Sequence, residues 1–295
     1  MKWDFASVTK WGLDQEGPAG QNMFDLAVVE LAKRLGGQIE SAECLNGYSI
    51  GVQITRDGRK LVHCLTGGAG SAKGSSQFVA ASTASEVYPI LRDMFPRHSV
   101  SRLDACEDYS GEGTWDKLEA MLTEICTRHG VSMAPFGEGH VRPDGTRDKT
   151  KGRSWYCGSK ASPFRIVLYE KGLEQLAQGI PADPTWVRLE VRVKPSSKAK
   201  EMVGSYDLKP ADLLGFSRWG KDVGEYMGFQ DIPRVAVGSV WRPNENEQLA
   251  LKIVRMFDKG IDEILREASD EEVGRLIRES HKKNREAMEA LKAEA

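Results

Sequence analysis

Phe164-Arg-Ile-Val-Leu-Tyr-Glu-Lys-Gly172 and, shortly after it, Trp186-Val-Arg-Leu-Glu-Val-Arg-Val-Lys194 alternate apolar and charged residues with a period of two. That period belongs to strands with one face in a core and one outside it. In the second run Leu189, Val191 and Val193 point one way, and Arg188, Glu190, Arg192 and Lys194 point the other. In the first, Arg165, Tyr169 and Lys171 share a face opposite Ile166 and Leu168. A carboxylate and a phenol in a field of fixed cations suit a phosphodiester better than a neutral metabolite.

Working outward, Phe24, Ala27, Val28, Leu31 and Leu35 form a helical stripe closed by Gly36-Gly37. Tyr48–Thr55 and Lys60–Leu65 read as strands joined by an Arg-Asp-Gly hairpin turn. Gly67 to Ser76 is a Gly and Ser-rich loop containing Lys73; without a Gly-Lys-Ser/Thr helix entry it is not a nucleotide P-loop. A helix over Ala84–Phe95, a strand over Ser99–Asp108 and a helix over Trp115–His129 follow, and the glycine and charge-rich run Phe136–Arg153 reads as a mobile loop. Short helices are expected at Lys198–Val203 and Pro210–Gly215, with Ser217-Arg-Trp219 near a turn. From residue 244 the chain is helix-rich: Leu249, Ile253, Met256, Phe257, Ile261, Ile264 and Leu265 form one stripe, and Ser269-Asp-Glu-Glu272 is a capping box. Hairpins in place of regular βαβ crossovers predict an α+β fold with a mainly antiparallel sheet, packed helices and a helical C-terminal region, divided as a core at 1–243 and a helical region at 244–295.

At 295 residues with 40% hydrophobic content the chain can bury one large core or two smaller ones. No apolar run approaches the length needed to span a bilayer and the N-terminus has no apolar leader, so the cytoplasm of a bacterial host is expected, without a membrane partner. Five cysteines without a Cys-x-x-Cys pair argue against a disulfide framework or a zinc site. Net charge is only −2, but its distribution is uneven: Arg142 to Lys171 holds eight Lys or Arg against three acids, and the tail beyond Asn244 is acidic. A basic middle fits a DNA-binding groove; a solvated face of mixed charge is the plainer alternative.

Four segments taken in order resemble the replication initiation factor family, which includes rolling-circle initiators of filamentous phages and plasmids and related conjugative relaxases. They are Leu61-Val-His-Cys-Leu-Thr-Gly-Gly68, Val100-Ser-Arg-Leu-Asp-Ala-Cys-Glu-Asp-Tyr109, the Tyr-x-Gly-Ser of Tyr156 to Ser159, and the Leu-Tyr-Glu-Lys-Gly and Arg-Leu-Glu-Val strands. The resemblance implies metal-dependent, sequence-specific nicking and strand transfer on single-stranded or supercoiled origin DNA. A tyrosine would form a 5′-phosphotyrosine and leave a 3′-hydroxyl that primes synthesis. It also implies Mg²⁺ or Mn²⁺, contacts with host helicase and DNA polymerase, and a homodimer. A conjugative relaxase, or a non-catalytic origin-binding or repressor protein on the same scaffold, are the alternatives. The relaxases often carry an added N-terminal helix-turn-helix, for which the first forty residues are too short, so the replication role is expected.

Arg102, Asp104, Cys106 and Asp108 alternate onto one strand face. Asp104 and Glu190 offer hard oxygen ligands for Mg²⁺ or Mn²⁺, while Asp108 lies ~13 Å from Asp104 along a straight strand and joins them only if the strand bends. The plainer alternative pairs Asp104 with Arg102 or Arg188 and leaves Asp108 as a turn cap. In the plasmid initiators the nucleophile follows the strand glutamate by about ten residues, which falls here near Lys200; the nearest downstream tyrosine is Tyr206, the first candidate. Tyr169 is the second and Tyr156 the third, the latter also suited to stacking on a base. Arg165 and Lys171 are placed on phosphate, Lys171 within the catalytic set. Arg153, Lys160, Arg188, Arg192 and Lys194 complete the expected DNA contacts, each of which could equally be a solvated charge. His63 is read as a core residue.

Overall fold

The computed structural model describes residues 1–15, 22–137, 152–196 and 199–235, with isolated positions between 269 and 282. The chain divides into two compact units, Met1–Val240 and Trp241–Ala295. The first is built on ten strands: β1 (Lys2–Trp11), β2 (Gln38–Ser41), β3 (Tyr48–Arg56), β4 (Arg59–Gly68), β5 (Ser75–Ala81), β6 (Ser99–Tyr109), β7 (Met133–Phe136), β8 (Ser154–Cys157), β9 (Phe164–Tyr169) and β10 (Val187–Val193). They form one antiparallel sheet in the order β2-β3-β4-β5-β1-β6-β10-β9-β8-β7. The helices are α1 (Met23–Leu35), α2 (Ala84–Met94), α3 (Thr114–Arg128), α4 (Lys171–Ala177), α5 (Lys200–Ser205) and α6 (Arg218–Tyr226), with a 3-10 segment at Pro210–Phe216. The expected α+β class is what the chain adopts.

Local chemistry accounts for the boundaries. Asn22 caps α1, its side chain accepting from the Phe24 N–H, and Gly36 ends it in the left-handed region at φ 61°. Asp57 and Gly58 turn the β3–β4 hairpin with φ of 53° and 72°, the paired positive values of a type I′ turn. Ser217-Arg-Trp219, expected near a turn, instead opens α6: the Ser217 hydroxyl accepts from the Gly220 N–H at 2.9 Å. The Gly67–Ser76 loop is cut short by a 3-10 turn at Gly70–Ala72 and by the start of β5.

One sheet face carries the core. Trp3, Leu103, Ala105, Ile166, Leu168, Leu189, Val191 and Val193 pack there with Phe24, Tyr88, Leu91, Leu122, Val203, Leu213, Leu214 and Val223 from the helices and the 3-10 segment. Burying that apolar surface is the main favourable term in holding sheet and helices together. The opposite face of β1, β6, β10 and β9 carries the charged set. Among the described residues no helix is long and apolar enough to cross a membrane.

Within the second unit, the Ser269 N–H donates to Glu272 at 3.0 Å and the Glu272 N–H to the Ser269 hydroxyl at 3.4 Å, the reciprocal pair expected of a capping box. The Leu249–Leu265 stripe and most of the Phe136–Arg153 run lie outside the described residues, as does Lys198.

Candidate active site

Strand register arranges the charged face as a grid. Glu190 stands opposite Cys106 on β6 and Val167 on β9; Arg192 stands opposite Asp104 and Arg165; Arg188 stands opposite Asp108 and Tyr169. Tyr156 on β8 lies beside Val167. The alternation read from the sequence therefore holds through β9 and β10, with one correction. β9 ends at Tyr169, so Lys171 is not a strand residue but the first residue of α4. Its ammonium pairs with Glu174 at 2.9 Å and sits 5.7 Å from the centre of the Tyr169 ring. The chain has to turn here because Gly172 approaches the 183–186 segment too closely for a side chain: an added Cβ would stand 1.8 Å from the Asp183 carbonyl oxygen.

At the centre of the grid Glu190 makes three contacts. The Tyr169 hydroxyl donates to its Oε2 at 3.2 Å, Arg192 Nε donates to its Oε1 at 2.5 Å, and its carboxyl is hydrogen-bonded to that of Asp104. Arg102 forks onto Asp104, with Nε to Oδ1 at 2.9 Å, and lies 3.7 Å from Glu190. Both carboxyls are almost fully buried. Burial pushes Asp104 up to about 7; the Arg102 fork opposes this and the neighbouring Glu190 charge adds to it. On Glu190 burial also pushes upward, but the hydrogen bond and charge of Arg192 outweigh it and hold Glu190 below the ordinary carboxylate value. The pair thus shares a proton that resides on Asp104. Burial and the Glu190 charge raise the Tyr169 phenol above its ordinary value.

Asp108 belongs to a different cluster. Arg188 donates to both its oxygens at 2.7 and 3.0 Å, Trp186 Nε1 to it at 2.8 Å, and Lys2 reaches it at 2.9 Å. Against the push of burial, these bonds hold Asp108 down at about 2. Arg188 also binds Asp4 at 2.8 Å. The strand does not bend to bring Asp108 to Asp104, and Asp108 does not cap a turn; it anchors Arg188. Of the alternatives for Asp104, the Arg102 pairing is present together with the Asp104–Glu190 contact. Among the described residues no group of three or more His, Cys, Asp or Glu side chains could enclose a metal ion. Two adjoining hard oxygen donors nevertheless fit the way Mg²⁺ is held by one or two carboxylates and completed by substrate phosphate.

Tyr206 falls on the other side of the sheet. It follows α5, packs against the hydrophobic core, and is succeeded by Asp207 and Leu208, both bound by Arg92 of α2. The helical layer, not the charged face, holds it, because Val203 and Leu208 on either side are buried in the core. Tyr169 and Tyr156 are the two candidates that reach the charged face. Both line an open hollow of about 470 Å³ with Arg153, Val167, Glu170, Leu173 and Arg192. Arg165 lies over the Tyr156 ring at 4.3 Å. Arg153 is stacked over Trp115 at 4.3 Å and braced by Glu170, which accepts from its backbone N–H at 2.7 Å and its guanidinium at 3.0 Å. Lys160 and Lys194 are exposed outside the grid. His63 is buried, its Nε2 2.8 Å from the Glu43 carbonyl oxygen, as expected of a structural histidine.

Asp4 is the site residue that sequence reading missed. An acid between Trp3 and Phe5 was the available signal, but the register shift between Trp3 and Phe5 breaks the alternation that would have exposed it.

Residues 98–210 match the model of the replication initiation factor family. The resemblance noted in the sequence is borne out over these residues, which include Asp104, Tyr156, Tyr169 and Glu190; the Leu61–Gly68 segment and Asp4 lie outside them. No curated protein matches the chain by sequence. Among solved structures, the rolling circle replication initiator protein from Geobacillus stearothermophilus is similar at 13% identity and a TM-score of 0.48, over 79% of this chain and 98% of that one.

Proposed function

We propose that this protein starts rolling-circle replication by cutting one strand of origin DNA through a tyrosine, with Tyr169 as the nucleophile. The observation that carries the reading is that one buried carboxylate, Glu190, touches both the Tyr169 hydroxyl and the Asp104 carboxyl. The family match over residues 98–210 supports the same class of chemistry.

The raised pKa of Tyr169 means that the phenol is protonated at neutral pH, so its proton leaves toward Glu190 Oε2 as its oxygen attacks phosphorus. The new bond joins Tyr169 Oη to phosphorus; the bond that breaks is the one from phosphorus to the 3′ oxygen, which takes a proton from water. Lys171, against the Tyr169 ring, offsets the charge that develops on the phosphoryl oxygens, while Arg192 keeps Glu190 ionised to receive the proton. Asp104 and Glu190 would hold Mg²⁺ or Mn²⁺, which when bound supplies a Lewis acid to a phosphate oxygen. Origin DNA is the partner; helicase, polymerase and a second copy of the chain enter only with the family reading.

A second reading has its own observation. Arg102 and Arg192 already occupy the two carboxyl groups, as they would in an origin-binding protein without nicking activity. One experiment separates the two. Purified protein is incubated with supercoiled DNA carrying the region around its own gene, with Mg²⁺, Mn²⁺ or chelator, and products are run under denaturing conditions with mass spectrometry of any DNA-linked peptide. A metal-dependent nick with DNA on Tyr169, lost in Tyr169→Phe and kept in Tyr206→Phe, is expected. An adduct on Tyr156 or Tyr206 overturns the assignment, and tight binding without a nick favours the second reading.

A further inference from the structure

The cations of the open face are unequally provided for. Arg102 is held by Asp104, Arg188 by Asp108 and Asp4, Arg192 by Glu190, Lys171 by Glu174 and Arg153 by Glu170. Arg165 has no carboxylate partner among the described residues, and its Nε is buried without a hydrogen bond. Its direct cross-strand neighbour is another guanidinium, Arg192. Like charges directly opposite on adjacent strands destabilise a sheet. Burial and the Arg192 charge accordingly lower the pKa of Arg165. An anion bound between the two guanidiniums would relieve this repulsion and give the orphaned Nε a partner.

Position says which anion. Arg165 and Tyr169 are four residues apart on β9, ~13 Å along a strand, so a phosphate held by Arg165 is not the one Tyr169 attacks. Tyr156, its ring covered on one side by Arg165, lines the same hollow as Tyr169. We propose that Arg165, with Arg192 opposite it, grips a phosphodiester of single-stranded DNA flanking the scissile one, and so sets which internucleotide bond reaches Tyr169. The inference rests on the nicking reading above and assigns Arg165 a positioning role within it, separate from bond cleavage.

The test measures binding, so it does not depend on turnover. In a Tyr169→Phe background, a labelled single-stranded oligonucleotide from DNA beside the protein's own gene is titrated against Arg165, Arg165→Ala and Arg165→Gln proteins across a salt series. The titration is repeated with a neutral methylphosphonate placed at each linkage in turn. Loss of one charge-assisted contact is expected to weaken binding roughly ten- to hundredfold. The salt dependence should become shallower by roughly 0.7 in log–log slope. At one linkage away from the cleavage point the methylphosphonate penalty should vanish in the variants and persist elsewhere. An arginine that only supports the fold would lower the melting temperature and leave slope and linkage profile unchanged, which overturns the proposal. Arg165-dependent competition by inorganic phosphate together with a linkage profile that is the same in the Arg165 protein and the variants would identify a free-anion site and also overturn it. If the Arg165 protein binds no single strand at all, the nicking reading itself falls; if it binds and the variants match it, only the role of Arg165 does.

Discussion

Replacing Asp104 with asparagine separates two opposing forces on one carboxyl. The Arg102 fork favours an ionised Asp104, whereas burial and Glu190 favour the protonated form and prevail, leaving its pKa at about 7 against an ordinary 3.8. Between those two values the unfolded chain has released the proton and the native chain keeps it. The native state then binds more protons, so this group's contribution to stability falls as pH rises from about 4 to about 7 and is constant above. A tenfold change in proton affinity corresponds to about 1.4 kcal/mol, so a roughly thousandfold tighter hold on the proton would by itself give about 4 kcal/mol. Glu190 is displaced the opposite way, so it titrates below the ordinary carboxylate value and adds little slope above pH 5; the part of the Asp104 change that falls between pH 5 and pH 8 is then about 2–3 kcal/mol. Asparagine has the shape of the protonated acid and cannot titrate. Urea unfolding of the natural protein and Asp104→Asn, with chelator present, at pH 5, 6, 7 and 8 should show the variant gaining about 2 kcal/mol relative to the natural protein from the lowest pH to the highest. A difference that is flat, or that moves against the variant with rising pH, would mean that the Arg102 ion pair governs Asp104 and that the carboxyl pair shares no proton. Mg²⁺ at pH 8 should then stabilise the natural protein and leave Asp104→Asn unmoved, a readout that needs no DNA.

Arg188→Met strands Asp108 and Asp4 without their shared partner and should cost about 3 kcal/mol in urea unfolding at pH 7. The loss should shrink toward pH 2 as Asp108, held down at about 2, takes up its proton. Gly172→Ala forces α4 away from the Asp183 carbonyl oxygen and should lower stability by about 1–3 kcal/mol, read from the shift in urea midpoint. Of the five cysteines only Cys44 is exposed, so the native protein should react with one equivalent of an aromatic disulfide reagent and the denatured protein with five.

Strands β6, β9 and β10 were legible because each places a regular series of apolar residues on the core side, such as Leu189, Val191 and Val193. β1 was not, since its pairing with β6 slips between Trp3 and Phe5 and again between Ser7 and Val8. β5 was hidden by its composition: Ser75, Ser76 and Ala80 are buried there, and small residues give periodicity little contrast. α6 escaped for a related reason. Gly220 and Gly224 weaken its helical signal, yet both lie where side chains would collide, an added Cβ meeting Phe164 at 2.5 Å and Ile232 at 2.1 Å respectively. That Tyr206 and Tyr169 end on opposite sides of the sheet was beyond local reading altogether, because it depends on which side of the sheet the chain descends after β10. That is fixed by Val203, Leu208 and Leu213 entering the core far along the sequence from the strands they cover.

The same grid limits how the face can meet DNA. Lys2, Arg102, Arg165, Arg188 and Arg192 stand against Asp4, Asp104, Asp108 and Glu190, and with Asp104 protonated the surplus is only about two positive charges. A surface of this kind binds a polyanion by partner exchange: a phosphate gains an arginine only as that arginine loosens its hold on a buried carboxylate. Arg165 is the exception, since it surrenders nothing. Binding through the face alone should therefore release counterions for about two phosphates, a log–log salt slope of about −1.4 for a single strand. A steeper slope that persists in Arg165→Ala would place the main electrostatic contacts outside the grid, on cations such as the exposed Lys160 and Lys194. Charge reversal at those two lysines should then remove most of the slope while leaving the linkage profile set by Arg165 intact.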